Sequence, residues 1–93
     1  MSGHVVLLGD SVFDNGAYVG GGPDVGQQLQ RRLPSGWRAT LAAVDGATVT
    51  GVSRQLQGMP GDASHLVISV GGNDALGQAR ILEEGNRPIQ AAF

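Results

Sequence analysis

Two short apolar runs closed by glycine constrain this chain more than any other feature. His4-Val5-Val6-Leu7-Leu8-Gly9 and Leu66-Val67-Ile68-Ser69-Val70, the second followed by Gly71-Gly72, are continuous rather than alternating. A strand with one wet face alternates apolar and polar residues, because successive side chains point to opposite faces of the sheet. A continuous run is how a parallel strand buried on both faces reads. Between the two runs lie segments of helical period. Pro23-Asp24 reads as a helix start with Asp24 as N-cap, and Val25, Leu29 and Leu33 follow on one face. Arg31 and Arg32 suit the negative end of the helix dipole, and Pro34 stops the helix. Trp37 to Val44 reads as a second strand. Val49, Val52 and Leu56 carry a second helix ended by Gly58 and Pro60, and a less periodic one spans about Ala75 to Glu84, before Gly85 and Pro88.

Strands alternating with helices give a βαβαβα order, hence right-handed crossovers and a parallel sheet, so the fold class is α/β. Three parallel strands make a thin sheet, and the third would leave an open edge of unpaired N–H and C=O groups. At 93 residues the chain is one domain at most, and chains of this size bury only about 60–65% of the surface they expose when unfolded. Charged residues are 15% of the total, against about 25% in an average soluble protein. Part of the surface is therefore expected to be covered by something else. The apolar segment Ile89 to Phe93 stands where a further strand or loop should begin. Residues 1–93 are thus expected to be the N-terminal part of a single larger α/β domain, its remainder missing or on another chain.

Zeros in the composition exclude whole chemistries. There is no Cys, which removes thiol nucleophiles, disulfides, zinc fingers and iron–sulfur clusters. All six basic residues are Arg, so without Lys there is no Schiff-base chemistry, no Ser–Lys dyad and no phosphate-binding P-loop. A net charge of −2 leaves no electrostatic footprint for nucleic acid. The longest apolar run, Val5 to Leu8, is far short of the roughly 20 residues that span a membrane. No charged segment precedes it as in a signal peptide, so a cytoplasmic protein, or a mature form already trimmed, is expected.

In open α/β sheets reactive groups gather at the carboxyl ends of the strands. Three segments fall there: Gly9-Asp10-Ser11, Asp45-Gly46-Ala47-Thr48 and Gly71-Gly72-Asn73-Asp74. Each alone is weak, since a glycine after a strand usually makes a turn and Asp-Ser or Asn-Asp before a helix usually makes a cap. Together they bring a hydroxyl nucleophile, a glycine whose backbone can approach a ligand and a carboxamide donor to one edge of one sheet. Those are the parts needed to attack a carbonyl and to hold the resulting oxyanion.

Gly9-Asp10-Ser11, with Val12-Phe13-Asp14-Asn15-Gly16 after it, resembles the first sequence block of the SGNH, or GDSL-type, hydrolases. Gly46 resembles the second-block glycine, and Gly71-Gly72-Asn73-Asp74 fits the third-block Gly-x-Asn-Asp. The blocks occur in order, each after its strand. The resemblance implies a flavodoxin-like parallel sheet with helices on both faces, only the first three strands being present here. It further implies hydrolysis of a small ester through an acyl-enzyme, with no cofactor and no metal. Carried over residue by residue, Ser11 is the nucleophile and its backbone N–H the first oxyanion donor. The Gly46 N–H and the Asn73 amide are the second and third, and Asp10 and Asp74 support the loops that hold Ser11 and Asn73.

The family's last block, Asp-x-x-His, supplies the general base and the acid that orients it. Asp62-Ala63-Ser64-His65 has that spacing but precedes the third strand, whereas Ser11 follows the first. In a parallel sheet that separates them by about 17–20 Å, at about 3.3 Å per residue, and a general base must come within about 2.6–3.2 Å of its proton. His4 opens the first strand and fails for the same reason. The expected partner is therefore a second polypeptide, or the C-terminal remainder, bringing Asp-x-x-His. Two other readings stay open. One is a flavodoxin-like binding or interaction module without catalysis. The other is a metal-dependent phosphoesterase, whose Asp- and Asn-bearing loops the Gly9-Asp10 and Gly71-to-Asp74 segments distantly resemble.

Overall fold

The computed structural model describes residues 2–84, with side chains to residue 79. Its elements are β1 (His4–Gly9), a 3-10 turn at Gly16–Tyr18, α1 (Val25–Arg32), β2 (Arg38–Leu41), α2 (Val49–Gln57), β3 (His65–Ser69) and α3 (Gly72–Glu84). The three strands form one parallel sheet in the order β2-β1-β3. His4 pairs with Arg38 and Leu7 with Leu41 on one side of β1, and Val5 pairs with His65 and Gly9 with Ser69 on the other. The fold is α/β, consistent with part of a flavodoxin-like sheet.

The strand order fixes where the helices lie. The chain steps one way from β1 to β2, then back past β1 to β3, and two right-handed crossovers of opposite direction put their helices on opposite faces. α1 packs mainly against β2 and α2 against β1. The reversal of direction falls between β1 and β3, and their carboxyl ends frame the crevice where such sheets bind ligands.

β1 is the centre of the core. Val6 and Leu8 are fully enclosed, Val5 and Leu7 nearly so, and Ala43 and Val52 complete the buried apolar set. Burying a side chain of that size is worth about 1.5–3 kcal/mol. α1 starts as its sequence requires. The Asp24 carboxylate accepts from the Gln27 N–H at 2.8 Å and the Gln27 side chain accepts from the Asp24 N–H at 2.9 Å, so each satisfies a donor that the first turn leaves open.

Three expectations need correction. β2 covers Arg38–Leu41 rather than Trp37 to Val44, because Ala42 and Ala43 both donate to the Leu7 carbonyl, and that doubled contact interrupts the regular ladder before Val44 donates to the Gly9 carbonyl. α3 begins at Gly72 rather than near Ala75, which draws Asn73 and Asp74 into its first turn. β3 is a strand but not a buried one. Leu66, Val67 and Ile68 are 45%, 43% and 51% exposed. Successive strand residues point to opposite faces, so both faces of β3 are open. Among the described residues it pairs along one edge only, and Leu76 of α3 is itself exposed rather than packed over it. The apolar segment Ile89 to Phe93 and the helix stop at Gly85 and Pro88 lie outside the described residues.

Candidate functional site

The three glycine segments meet at the carboxyl edge of the sheet. Gly9 ends β1 with φ +128°, and the chain turns sharply over Asp10 to Asp14, whose Phe13 and Asp14 N–H groups both donate to the Asp10 carbonyl. Asp10 is buried, and its carboxylate accepts from the Val12 N–H at 3.1 Å, closing a turn that holds Ser11 half-buried at its apex. No helix starts at Ser11, so a role as helix cap is ruled out. Among the described residues the Ser11 hydroxyl has no hydrogen-bond partner.

Gly46 sits third in the turn Val44-Asp45-Gly46-Ala47, closed by the Ala47 N–H on the Val44 carbonyl at 3.0 Å. Its φ of +87° is the conformation a type II turn demands at that place, where a side chain is strained. The Gly46 N–H is exposed and unpartnered among the described residues. Asp14 ties this turn to the Ser11 segment, its carboxylate accepting from the Asp45 N–H at 2.8 Å. Tyr18 clamps it from outside, donating to both oxygens of Asp45 at 3.0 and 2.8 Å. That hydrogen bond and the Asp45 charge hold the Tyr18 phenol above its ordinary pKa, since removing the proton would set two anions side by side.

Asn73 reaches the second loop from α3, its Nδ2 donating to the Ala47 carbonyl at 3.0 Å. That fixes the amide beside Gly46 and uses one of its two N–H donors. Asp74 accepts from the Val49 N–H at 3.0 Å. Thr48, the residue before α2, makes no side-chain cap, so Asp74 caps α2 from another element and brings a negative charge to the positive end of that helix. Asp10 thus closes the turn that carries Ser11, Asp74 ties the first turn of α3 to the start of α2, and Asp14 joins the first loop to the second.

The histidines lie at the other end. His4 is 4% exposed, with Nδ1 2.8 Å from Asp62 Oδ1 and Nε2 2.5 Å from Thr40 Oγ1. Arg38 also pairs with Asp62, and the two contacts together hold the Asp62 carboxyl below its usual range, with the His4 hydrogen bond the larger cause. Asp62 therefore pairs with His4 and not with the His65 three residues on. His65 is exposed, bonded to Ser64 at 2.9 Å and tilted against the Trp37 ring at 5.4 Å. The strand register puts both imidazoles at the amino edge, with Ser11 beyond the carboxyl edge.

Sequence reasoning missed Asp14, Tyr18 and Gln55. Gln55 lies on α2 yet makes two hydrogen bonds to the backbone of Gly9. The one signal for it was a Gln within an apolar-faced helix facing a strand that ends in glycine. Among the described residues no group of three or more His, Asp or Glu could hold a metal ion, and no helix is long and apolar enough to cross a membrane.

Fold and site together define a class, an α/β domain with a serine, a glycine turn and a carboxamide at the carboxyl edge of a parallel sheet. Compared with known proteins, the chain matches no family model and no curated protein.

Proposed function

We propose that this chain is the N-terminal part of an SGNH-type serine esterase that cleaves small carboxylic esters through an acyl-enzyme. Ser11 Oγ adds to the ester carbonyl and gives its proton to a general base. The oxyanion is held by the Ser11 and Gly46 N–H groups and by the Asn73 N–H that Ala47 leaves free. Collapse expels the alcohol, which takes the proton back, and water then releases the acid by the same steps. The base is a His from an Asp-x-x-His segment in the C-terminal remainder or on a second polypeptide.

The observation that carries the reading is the linkage of the three loops. Asp14, four residues on from Asp10, bonds the Gly46 turn, and Asn73 bonds Ala47 on its other side. Intact-mass measurement of the purified protein under denaturing conditions shows whether a second polypeptide bearing Asp-x-x-His accompanies the chain. In the complete protein, Ser11→Ala abolishes turnover of a p-nitrophenyl ester, and Asn73→Ala lowers it about 10²–10³-fold, as loss of one oxyanion donor does. Turnover within a few-fold of wild type in Asn73→Ala removes Asn73 from the site. Robust turnover by the pure monomeric chain contradicts the need for a supplied base.

A second reading has its own support. With both histidines at the amino edge and β3 open on both faces, the chain also suits a flavodoxin-like binding or interaction module. Nucleotide-dependent stabilisation without ester turnover is the result that favours it.

A further inference from the structure

Gly9 is where the sheet stops satisfying its own backbone. A strand presents the N–H and C=O of one residue to one neighbour and those of the next residue to the other. In β1, Leu7 and Gly9 face β2, whereas Asp10 faces β3 and donates to the Ser69 carbonyl at 3.1 Å. β2 ends at Leu41, and Ala42 and Ala43 both spend their N–H groups on the Leu7 carbonyl at 2.9 Å. Among the described residues no backbone carbonyl of β2 or of the segment after it accepts from the Gly9 N–H. Gly9 is buried, and a buried N–H needs a partner.

The Gln55 side chain supplies it. The Gly9 N–H donates to Gln55 Oε1 at 2.8 Å, and Gln55 Nε2 donates back to the Gly9 carbonyl at 2.8 Å. That carbonyl also accepts from the Val44 N–H at 3.0 Å. A side-chain amide thus stands where the peptide of a longer β2 would be, 46 residues away in the chain. Gly9 needs such a hold. Its φ of +128° and the 1.8 Å from an ideal Cβ to the Ser69 oxygen admit only glycine, and glycine is the residue with most backbone freedom. α2 then joins both halves of the edge, gripping the Ser11 strand through Gln55 and the Asn73 turn through Val49 on Asp74.

We propose that Gln55 is a positioning residue for Ser11. Its amide fixes the Gly9 backbone and so the direction in which Asp10 and Ser11 leave β1. The meaning for catalysis rests on the esterase reading, whereas the hold on the Ser11 backbone does not.

Gln55→Glu separates the amide's hydrogen bonding from its bulk. A protonated carboxyl has one O–H donor and one C=O acceptor, the same pair the amide offers, whereas a carboxylate only accepts and repels the Gly9 carbonyl. The complete protein, with the remainder or partner that supplies the base, is studied as wild type, Gln55→Ala and Gln55→Glu. The readouts are amide hydrogen exchange at Gly9, the Ser11 amide NMR shift, and the rate of Ser11 labelling by an alkyl fluorophosphonate. In Gln55→Ala the Gly9 amide exchanges at least about tenfold faster, the Ser11 resonance moves and labelling slows about tenfold, as expected when a buried donor loses its partner. Gln55→Glu matches that variant at neutral pH and returns to the wild-type values at equal pH once its carboxyl protonates, below about pH 4. Packing alone produces no such recovery.

Gly9 exchange within twofold of wild type in Gln55→Ala overturns the proposal. So does faster exchange with the Ser11 resonance unmoved, or a Gln55→Glu chain that never recovers. A complete wild-type protein, with the supplied base present, whose Ser11 does not label counts against the esterase reading, and exchange and the Ser11 resonance then decide the role of Gln55 by themselves. If Gln55→Ala does not fold, the pH titration of Gln55→Glu carries the test.

Discussion

Gly9→Ala tests the joint between β1 and the Ser11 turn more directly than any other substitution. A Cβ on Gly9 would lie 1.8 Å from the Ser69 oxygen and 2.6 Å from its carbonyl carbon, which are backbone atoms of β3 and cannot rotate aside. The strands must separate locally. That removes the Asp10 N–H bond to Ser69 and weakens the Gly9–Ser69 pairing. Two such bonds are worth about 1–3 kcal/mol together, at about 0.5–1.5 kcal/mol each. A side chain held at φ +128° adds strain of about 1–3 kcal/mol. The sum, about 2–6 kcal/mol, is a large part of a total that runs to about 5–15 kcal/mol in ordinary domains.

Two other glycines calibrate the result. Gly46 has φ +87° but open space around an added Cβ, so Gly46→Ala carries the strain alone, about 1–2 kcal/mol. Gly16 has neither a positive φ nor a neighbour within 4 Å, so Gly16→Ala is neutral or stabilising by up to about 1 kcal/mol, through the unfolded state. Urea unfolding followed by fluorescence of Trp37, the sole tryptophan, ranks the three. The expected order of cost is Gly9, then Gly46, then Gly16. A Gly9→Ala chain within about 1 kcal/mol of wild type, or one costing no more than Gly46→Ala, refutes the close approach of β1 and β3 at this point.

Tyr18 is the only tyrosine, so ultraviolet titration reads it directly: its midpoint lies above about 10 and falls toward that value in Asp45→Asn, and a midpoint the substitution does not move contradicts the Tyr18–Asp45 bond. Asp62 has a folded-state pKa below its unfolded one, so its contribution is present above about pH 4 and lost as pH falls through the depressed value. Asp62→Asn should flatten that acid limb of stability, and an unchanged limb rules out the His4 and Arg38 contacts as its source. Leu8→Ala should cost about 2–5 kcal/mol as an enclosed core truncation. Ile68→Ala in the chain alone should cost under about 1 kcal/mol, and equal costs would show β3 to be covered.

What could be read from the residues, and what could not, divides along local and non-local chemistry. The β1 run and the Asp24 start of α1 are local signals, since a strand buried on both faces and a capping box each use residues adjacent in sequence. β3 shows the limit. Leu66, Val67 and Ile68, three consecutive apolar residues that fall on both faces, describe a strand able to be buried, but burial depends on what lies over it, and no local residue encodes that. The same limit hid Asp74 as the cap of α2 and Gln55 as the partner of Gly9, contacts made across 25 and 46 residues. Ser11, Gly46 and Asn73 could be placed at one edge because topology alone sends every βα turn of a parallel sheet there. How Asp14 and Asn73 tie those turns together depended on side-chain directions that spacing does not specify.

The two ends of the sheet use similar side chains for opposite purposes. At the amino edge a carboxylate holds Nδ1 of an imidazole whose Nε2 meets a hydroxyl, the arrangement by which hydrolases orient a base. Here it is sealed, with His4 4% exposed and its partners drawn from β2 and from the segment before β3, so it bolts together the starts of the strands. At the carboxyl edge the hydroxyl of Ser11 is half-exposed and the nearby polar groups hold backbone in place, leaving no imidazole to take its proton. On the proposed reading the base must therefore arrive with whatever covers β3. A parallel strand laid along the open edge of β3 would finish at the same edge as β1, and its following loop would emerge beside Asn73. One addition then meets both needs: it buries Leu66, Val67 and Ile68, and it delivers a side chain to the end of the sheet where Ser11 lies.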